Sequence, residues 1–414
     1  MKNRPSRPHS RNRIWFVSEL FYPVFASTGY YITEIARHVA ESGFDVGVLS
    51  TLGVYRDLDA KTAPAHEIYE KMEIFRVRGG GASGKGIARG LSALHTSLRL
   101  FRAMLSLVHR EDRIVAVTNP PLIIPFLFLL RKLRGVEYVV IVHDLFPENL
   151  PVTGVLRRRG HIFTFLRSMY YFFYSQAAMV ICIGRDVRNM FTANLGSVRP
   201  EVVVIPNWAD DTNVWPIPKY ECRMIQELGI SGKIVLQFAG NLGLVQNIEI
   251  ILKMAAECRN NLLHFLFVGT GAKKELVEKH IEANPNCNVT YLEYMDRDRQ
   301  NDFLNSCDIG LVTLSDGMYG LGVPSKSYNI MAAGRPILYI GDEGSEIYVM
   351  VRENDIGWAF RSDQYREIMS LLDSLPLQSS EIERKGRNAR RLAETVYSKS
   401  RILRLYVQAI ASPQ

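Results

Sequence analysis

Short apolar runs of four or five residues alternate with longer helical stretches along almost the whole chain, and the alternation starts twice. Strands that recur singly, each followed by a helix, cannot close as two-residue hairpins and line up side by side in a parallel sheet. The first series opens with Ile14-Trp-Phe-Val17, a turn-like Phe21–Gly29 and a helix over Tyr30–Ser42 that Gly43 ends. It continues through the apolar runs Val46–Ser50, Ile114–Val117, Tyr138–Val142, Met179–Ile183 and Val202–Ile205. Helical stretches over Leu91–His109, Leu122–Arg134 and Ile162–Gln176 lie between them. The rhythm restarts at Lys233, with strands predicted at Ile234–Phe238, His264–Val268, Val289–Leu292, Ile309–Val312 and Pro336–Ile340. Helices over Asn247–Cys258, Lys273–Asn284, Arg297–Ser306 and Lys326–Ala333 separate these. Two doubly wound Rossmann-like α/β domains are therefore expected, over 14–206 and 220–395, with Pro206–Lys219 as linker and a last helix over Ser398–Ala411.

Composition agrees with that size of fold. The chain has 414 residues, 47% hydrophobic and 22% charged, which excludes a disordered or multi-span membrane chain. Five cysteines, odd in number and never spaced as CxxC, argue against a disulfide framework or a zinc site and for a reducing compartment. Charge is uneven: residues 1–206 hold 27 Lys+Arg against 16 Asp+Glu, and the remainder 23 against 26. A basic lobe beside a near-neutral one suggests an anionic partner for the first, such as a membrane surface or a phosphorylated lipid. The first thirteen residues are basic and Pro-containing with no apolar run behind them, and read as a disordered arm rather than a signal peptide. Two charge-free windows, Ile114–Leu130 and Ser168–Gly184, are only 17 residues each, and prolines interrupt the first. The expectation is a soluble, cytoplasmic protein that docks peripherally on a membrane. The aromatic helix Ile162–Gln176, the preceding Arg157–Arg159 and the Gly79–Gly90 loop with Lys85 and Arg89 are the candidates for that contact.

In parallel sheets ligands bind beyond the carboxyl ends of strands, so the chemistry is sought in the loops that follow strands. Phe238-Ala-Gly-Asn-Leu-Gly-Leu-Val-Gln-Asn247 follows a strand and opens a helix. Gly240 and Gly243 there let backbone N–H groups approach an anion, and Asn241 and Gln246 offer uncharged donors. In Val323-Pro-Ser-Lys326, Ser325 reads as an N-cap and Lys326 falls in the first helical turn. A cation at that end of a helix is unfavourable unless it shares a diphosphate with the free N–H groups. Val142-His-Asp-Leu-Phe-Pro147 places His143 and Asp144 at a strand end, able to orient a hydroxyl or take its proton. Val24–Gly29, with Thr28 and Gly29, is small enough for close approach of a phosphate or sugar. Gly269-Thr-Gly271 has Lys274 where a dinucleotide fingerprint needs its third glycine, which rejects a dehydrogenase, and no GxSxG, HExxH or Walker A run is present.

These loops resemble those of retaining family 4 glycosyltransferases with the GT-B fold, over nearly the whole chain. The resemblance is carried by Phe21-Tyr-Pro23 with Gly29, Thr118-Asn-Pro-Pro121, His143-Asp-Leu-Phe-Pro147, Ile205-Pro-Asn-Trp-Ala-Asp210, Phe238-Ala-Gly-Asn241, Phe267-Val-Gly-Thr-Gly271, Val323-Pro-Ser-Lys326 and Ala332-Ala-Gly-Arg-Pro336. It looks closest to the WbuB-like branch of colanic-acid and O-antigen biosynthesis. The resemblance implies two domains facing across a cleft, with the C-terminal helix crossing back to the first. It implies metal-independent transfer of a sugar from a nucleotide donor, UDP-sugar favoured and N-acetylated or deoxy amino sugars included, to a hydroxyl of a polyprenyl-linked or glycan acceptor in surface polysaccharide or capsule biosynthesis. No cofactor and no nucleic acid are expected. The nucleotide base would lie near Tyr294, the diphosphate near Asn241 and Lys326, and the acceptor on the first domain at the cytoplasmic face of the inner membrane. The chain departs from the family's common pattern in two places. Asn241 and Gln246 stand where Arg and Lys are frequent, and the Glu-x7-Glu pair falls on Leu321 and Asn329. Two other readings stay open: a sugar-nucleotide epimerase using Asp342, Glu343 and Glu346, and a non-catalytic subunit that binds lipid or nucleotide.

Overall fold

The computed structural model describes residues 12–24, 27–52, 63–79, 87–152, 154–155, 158, 160–196, 200–285 and 287–411. The basic arm up to residue 11, Phe25 and Ala26 of the first loop, Lys85, and Arg157 and Arg159 lie outside them. The chain forms two compact units. The first comprises residues up to Ile183, Val187–Ile205 and Leu403 onward; the second comprises Gly184–Asp186 and Pro206–Ile402.

Unit 1 runs β1 (Ile14–Val17), α1 (Ser27–Glu41), β2 (Val46–Thr51), β3 (His66–Tyr69), β4 (Met72–Val77), α2 (Ile87–Leu107), β5 (Arg113–Val117), α3 (Ile123–Arg134), β6 (Glu137–Val142), α4 (Asn149–Val152), α5 (His161–Ser175), β7 (Met179–Cys182), α6 (Arg185–Thr192) and β8 (Glu201–Val204). Its strand order is β3-β4-β2-β1-β5-β6-β7-β8, parallel throughout except for the antiparallel β3–β4 pair. The order reverses between β1 and β5, which makes their carboxyl ends the switch point. The central strands β1, β2 and β7 are buried along their whole length, as their apolar runs require of a sheet covered on both faces. Close packing needs a glycine at 47, where a Cβ would stand 2.6 Å from the Trp15 ring. Trp15 in turn donates its indole N–H to Asp112 at 3.0 Å. The aromatic helix α5 is divided by its own period: Phe163, Tyr170, Tyr171 and Tyr174 are core, whereas Phe165 and Phe172 are exposed.

Unit 2 runs α7 (Arg223–Glu227), β9 (Ile234–Ala239), α8 (Ile248–Glu257), β10 (Leu263–Val268), α9 (Lys274–Ala283), β11 (Val289–Leu292), α10 (Gln300–Asn305), β12 (Ile309–Thr313), α11 (Lys326–Ala332), β13 (Ile337–Ile340), α12 (Glu346–Asn354), β14 (Gly357–Phe360), α13 (Tyr365–Ser374), α14 (Ser379–Thr395) and α15 (Lys399–Ala411). Of α15 only the first turn belongs to this unit, the stretch from Leu403 onward being part of unit 1, and the first two residues of α6 belong here in exchange. The sheet is all parallel in the order β11-β10-β9-β12-β13-β14, reversing between β9 and β12. Ile248, Ile251 and Met254 of α8 share one buried cluster with Phe238, Phe265 and Phe267, which lie on the same face of β9 and β10. The segment Pro206–Lys219, read from sequence as a linker, belongs to this unit. Trp208, Ala209 and Val214 are buried in it, and the Ala209 N–H donates to Tyr397 O at 2.8 Å.

Candidate functional site

The loop that follows β9 is fixed by the loop that follows β10. The N–H of Gly240 donates to Val268 O at 2.8 Å, that of Leu242 to Thr270 O at 3.0 Å, and that of Lys273 back to Leu242 O at 2.9 Å. Backbones this close leave no room for side chains. A Cβ at Gly269 would stand 2.1 Å from Gly240 O, and one at Gly271 would stand 2.5 Å from Leu242 O. Gly240 and Gly269 also hold φ of +127° and +136°, a region that favours glycine. The Gly269-Thr-Gly271 run therefore serves loop packing. The Gly240 N–H, expected to face a ligand anion, is already spent on β10. Asn241 is exposed, with its amide lying between Gly243 and Gly271.

Lys326 opens α11 and reaches back to this loop. Its Nζ donates to Gln246 Oε1 at 3.2 Å and stands 3.3 Å from the centroid of the Phe238 ring. Gly240 lies against it, a Cβ there being 3.5 Å from Cε. Among the described residues no carboxylate comes within ion-pair distance of this ammonium. Desolvation by the surrounding protein pushes the Lys326 amine well below the ordinary lysine range. Gln246 is held from both sides: its N–H donates to Gly243 O, and its carbonyl accepts from Thr313 Oγ1 of β12 at 2.6 Å. The switch point between β9 and β12 thus carries a lysine amine with an amide oxygen and an aromatic face as its company. Ser325 occupies the N-cap position of α11 but is itself helical in backbone (φ −64°, ψ −21°) and makes no side-chain cap, contrary to the sequence reading. Tyr294 is exposed two residues beyond β11.

The positions of the missing Glu pair have other work. Leu321 is buried, and Asn329 Oδ1 accepts the buried N–H of Asp210 at 3.0 Å. The three carboxylates considered for acid–base chemistry are likewise engaged. Asp342 accepts the N–H groups of Gly317 and Tyr319 at 3.1 and 2.7 Å. Glu343 pairs with Arg361, and Glu346 is buried and bonded to Arg185.

In unit 1, His143 and Asp144 emerge directly after β6. The Asp144 N–H donates to Thr118 Oγ1 at 3.2 Å, tying this turn to the one after β5 at the switch point. The His143 ring lies 6.5 Å from Tyr31 of α1, and its Nε2 is buried with no hydrogen-bond partner among the described residues. Burial lowers the imidazole to about 4, so it is neutral at pH 7. The Asp144 side chain is open to solvent on one side, yet the protein around it raises its carboxyl above the usual range. Thr28 and Gly29 lie in the first turn of α1, where a Cβ at Gly29 would meet Val24 O at 2.5 Å. The structure therefore gathers Gly240, Gln246 and Lys326 in contact in unit 2, with Asn241 on the same loop. It sets His143 and Asp144 beside the β1–β5 switch point of unit 1. Sequence reasoning missed Phe238 as the surface under the amine; its place at the end of a strand, followed by Gly240, was the available signal. Among the described residues no helix is long and apolar enough to cross a membrane, and no cluster of three or more His, Cys, Asp or Glu side chains could hold a metal.

The chain is similar to known proteins over both units. Residues 28–208 match a model described as glycosyl transferase 4-like domain, and 233–373 one described as glycosyl transferases group 1. A Pseudomonas aeruginosa protein named Probable glycosyltransferase WbjE is 33% identical over 363 residues, 88% of this chain and 89% of the relative. WcaI of Escherichia coli (strain K12), named for a glycosyl transferase of colanic acid biosynthesis, is 23% identical over 76% of this chain and 79% of its own length. Among solved structures, sucrose-phosphate synthase from Thermosynechococcus elongatus superposes with a TM-score of 0.76 at 14% identity, covering 97% of this chain and all of that one. Anabaena HepE in complex with UDP and glucose gives 0.73 at 15% identity with the same coverage. Two Rossmann-like units with parallel sheets match the GT-B structures in this set, and with the relatives above they show that the chain belongs to the glycosyltransferases of the glycosyl transferase 4-like and group 1 families, enzymes of the hexosyltransferase type.

Proposed function

We propose that the protein transfers a sugar from a UDP-sugar, with retention and without a metal, to a hydroxyl of a lipid-linked or oligosaccharide acceptor in surface polysaccharide biosynthesis, on the WbuB-like branch of the family. The observation that carries the proposal is the desolvated amine of Lys326, held against Gly240 and Gln246 at a switch point with no carboxylate beside it among the described residues. Such a group is complete only with an anion. As the glycosyl bond breaks, negative charge grows on the leaving diphosphate, and a donor placed there strengthens towards the transition state. Lys326 supplies the charge, Gln246 turns its oxygen to that ammonium and so offers its NH₂ outward, Asn241 adds a second amide, and Tyr294 is the candidate surface for the base. The names of the relatives support the polysaccharide setting, and UDP or UDP-glucose is bound in the HepE structures. On unit 1 we assign Asp144 to the acceptor hydroxyl, with the neutral His143 beside it as orienting group.

The test is a screen of nucleotide sugars by thermal shift, followed by transfer to polyprenyl-diphosphate-linked acceptors with and without chelator. A selective donor at a hundred times its Kd stabilises by about 2.7 kcal/mol. Transfer should be unaffected by EDTA, and the product should keep the donor's anomeric configuration. Stabilisation by no nucleotide sugar, inversion, or loss of activity on chelation would each remove the corresponding part of the proposal. Isomerised donor without acceptor would favour the epimerase, a reading that the engaged Asp342, Glu343 and Glu346 already disfavour.

A further inference from the structure

The ladder between β9 and β12 is short. It consists of the register pairs Ile309↔Leu236 and Gly310↔Gln237, although β9 runs on to Ala239 and β12 to Thr313. On its other side β12 stays paired with β13 from Gly310 to Thr313, and the Leu314 N–H carries that pairing on to Ile340 O at 2.9 Å. β12 therefore parts from β9 while holding to β13, and a fork opens at the switch point. Among the described residues, the fork is bridged again beyond the strands. The buried Thr313 hydroxyl donates to Gln246 O at 2.6 Å, and the Ser315 N–H donates to Val245 O at 2.9 Å.

These bonds fall where the backbone changes hand. Asn247 stands in the left-handed region, at φ +34° and ψ 49°, and makes no side-chain cap to α8. A residue with a Cβ is held in that region by its surroundings. Rotation of the Gln246–Asn247 peptide would relax Asn247 and carry the Gln246 carbonyl off Thr313. The Gln246 side chain would move with its backbone, and its Oε1 is the atom 3.2 Å from Lys326 Nζ. A hydroxyl buried in the sheet is thus one peptide away from the group that holds the amine. The Ser315 bridge is made by backbone and is present whatever the side chain, so the Thr313 hydroxyl is the part of the bridge that sequence decides.

We propose that Thr313 is a positioning residue of the anion site: its hydroxyl fixes the Gln246 carbonyl across the fork, so that the Gln246 amide oxygen holds the Lys326 amine towards a diphosphate. Thr313 is wholly buried and acts through Gln246. The inference rests on the donor site proposed above and adds to it the residue that sets its geometry.

The full chain is titrated calorimetrically with UDP and with inorganic pyrophosphate, which carries the anion without the base. Valine has the shape of threonine and lacks the hydroxyl. Thr313→Val is expected to weaken both probes by about tenfold, the value of one hydrogen bond to a charged group. Thr313→Ser keeps the hydroxyl and should bind within about threefold of the parent. Thr313→Cys, with a weak S–H donor in the same place, should fall between the two and serves the comparison if the valine protein does not fold. Gln246→Ala retains the backbone carbonyl and loses the amide, so in that background Thr313→Val should change affinity by less than about twofold. A purely structural hydroxyl would give the same factor in both backgrounds, which would overturn the inference, as would a loss that Thr313→Ser does not restore. Lys326→Met tells this inference from the reading beneath it. Parent-like affinity in Lys326→Met, or a parent that takes up neither probe, would remove the donor site and the role of Thr313 together. Weak binding by Lys326→Met beside parent-like binding by Thr313→Val would remove the role of Thr313 alone.

Discussion

Replacing Lys326 by Met separates function from folding, because the two respond in opposite senses. Among the described residues the amine has a hydrogen bond to Gln246 Oε1 and the aromatic face of Phe238 to offset its removal from water. A hydrogen bond to a charged group contributes about 1.5–3 kcal/mol, and a cation–π contact about 0.5–2. The lowered pKa of the amine means that desolvation outweighs both. The folded state therefore binds fewer protons than the unfolded state between the lowered pKa and the ordinary lysine value near 10.4. Stability consequently rises with pH across that window, and the penalty is fully present only below it. Methionine of similar length removes the penalty and should leave the fold as stable as the parent or more so, with the gap widest in acid and closing towards pH 10. Turnover should fall about 10²–10³-fold, the loss typical of one donor to a developing anion and equal to about 2.7–4 kcal/mol. The assays are thermal unfolding from pH 5 to 10 and steady-state transfer with saturating donor. Titration calorimetry in buffers of different ionisation enthalpy should also show proton uptake on donor binding, absent in the variant. Parent-level kcat in the Met protein, or a destabilised Met protein, would refute the reasoning.

Acid should weaken unit 1 through His143: its imidazole is held neutral down to about 4, so the unfolded state binds the extra proton between pH 6.5 and 4 and stability falls as pH is lowered through that window. Denaturant midpoints at pH 7 and 4.5 should differ less in His143→Phe than in the parent, by up to about 3 kcal/mol, and an identical difference would exclude this residue as the cause. In Gly269→Ala the new methyl meets Gly240 O at positive φ, so stability should fall by about 2 kcal/mol or more and donor affinity with it; an unaltered melting curve would show that the two loops can separate freely. Asn329→Leu strands the buried Asp210 N–H and should cost about 1–3 kcal/mol in chemical unfolding, and a neutral result would mean that the acceptor is dispensable.

The parallel strands were legible because a strand buried on both faces writes itself as an unbroken apolar run, as in Ile14–Val17 and Met179–Cys182. The β3–β4 hairpin was not, since His66-Glu-Ile-Tyr69 lies at a sheet edge and alternates between exposed and half-buried residues. Strand β14, Gly357-Trp-Ala-Phe360, opens with a glycine and alternates between buried and half-buried residues, so no solid apolar run marks it. At the site, the loops could be named from their glycines and their position after strands, but not the use of each group. That the Gly240 N–H is consumed by β10, that Gln246 points its oxygen at Lys326, and that Asn329 serves Asp210 all depend on which loop packs on which. Those pairings follow from sheet order, which a single chain's periodicity leaves open.

Local rules of protein construction are broken at the loops after β6 and β9. Among the described residues, a lysine amine without a carboxylate opens a helix at Lys326, a buried imidazole nitrogen lacks a partner at His143, and Asn247 precedes α8 in the left-handed region without capping it. Charged groups elsewhere are paired, Lys385 with Asp355, Glu148 with Arg167 and Asp342 with two backbone N–H groups, while uncharged buried atoms such as Ser97 Oγ and Gln378 Oε1 share with His143 the lack of a partner among the described residues. The first three follow the carboxyl ends of β6 and β9 or, for Lys326, reach back to the loop after β9. Real sequences tolerate such inconsistencies where a ligand completes them. Were these groups merely badly packed, substituting them would change stability without changing the response to donor or acceptor. The decisive comparison is thus the ratio of the two effects at Lys326 and His143 against the same ratio at Asn329, a residue that completes the fold and touches neither group.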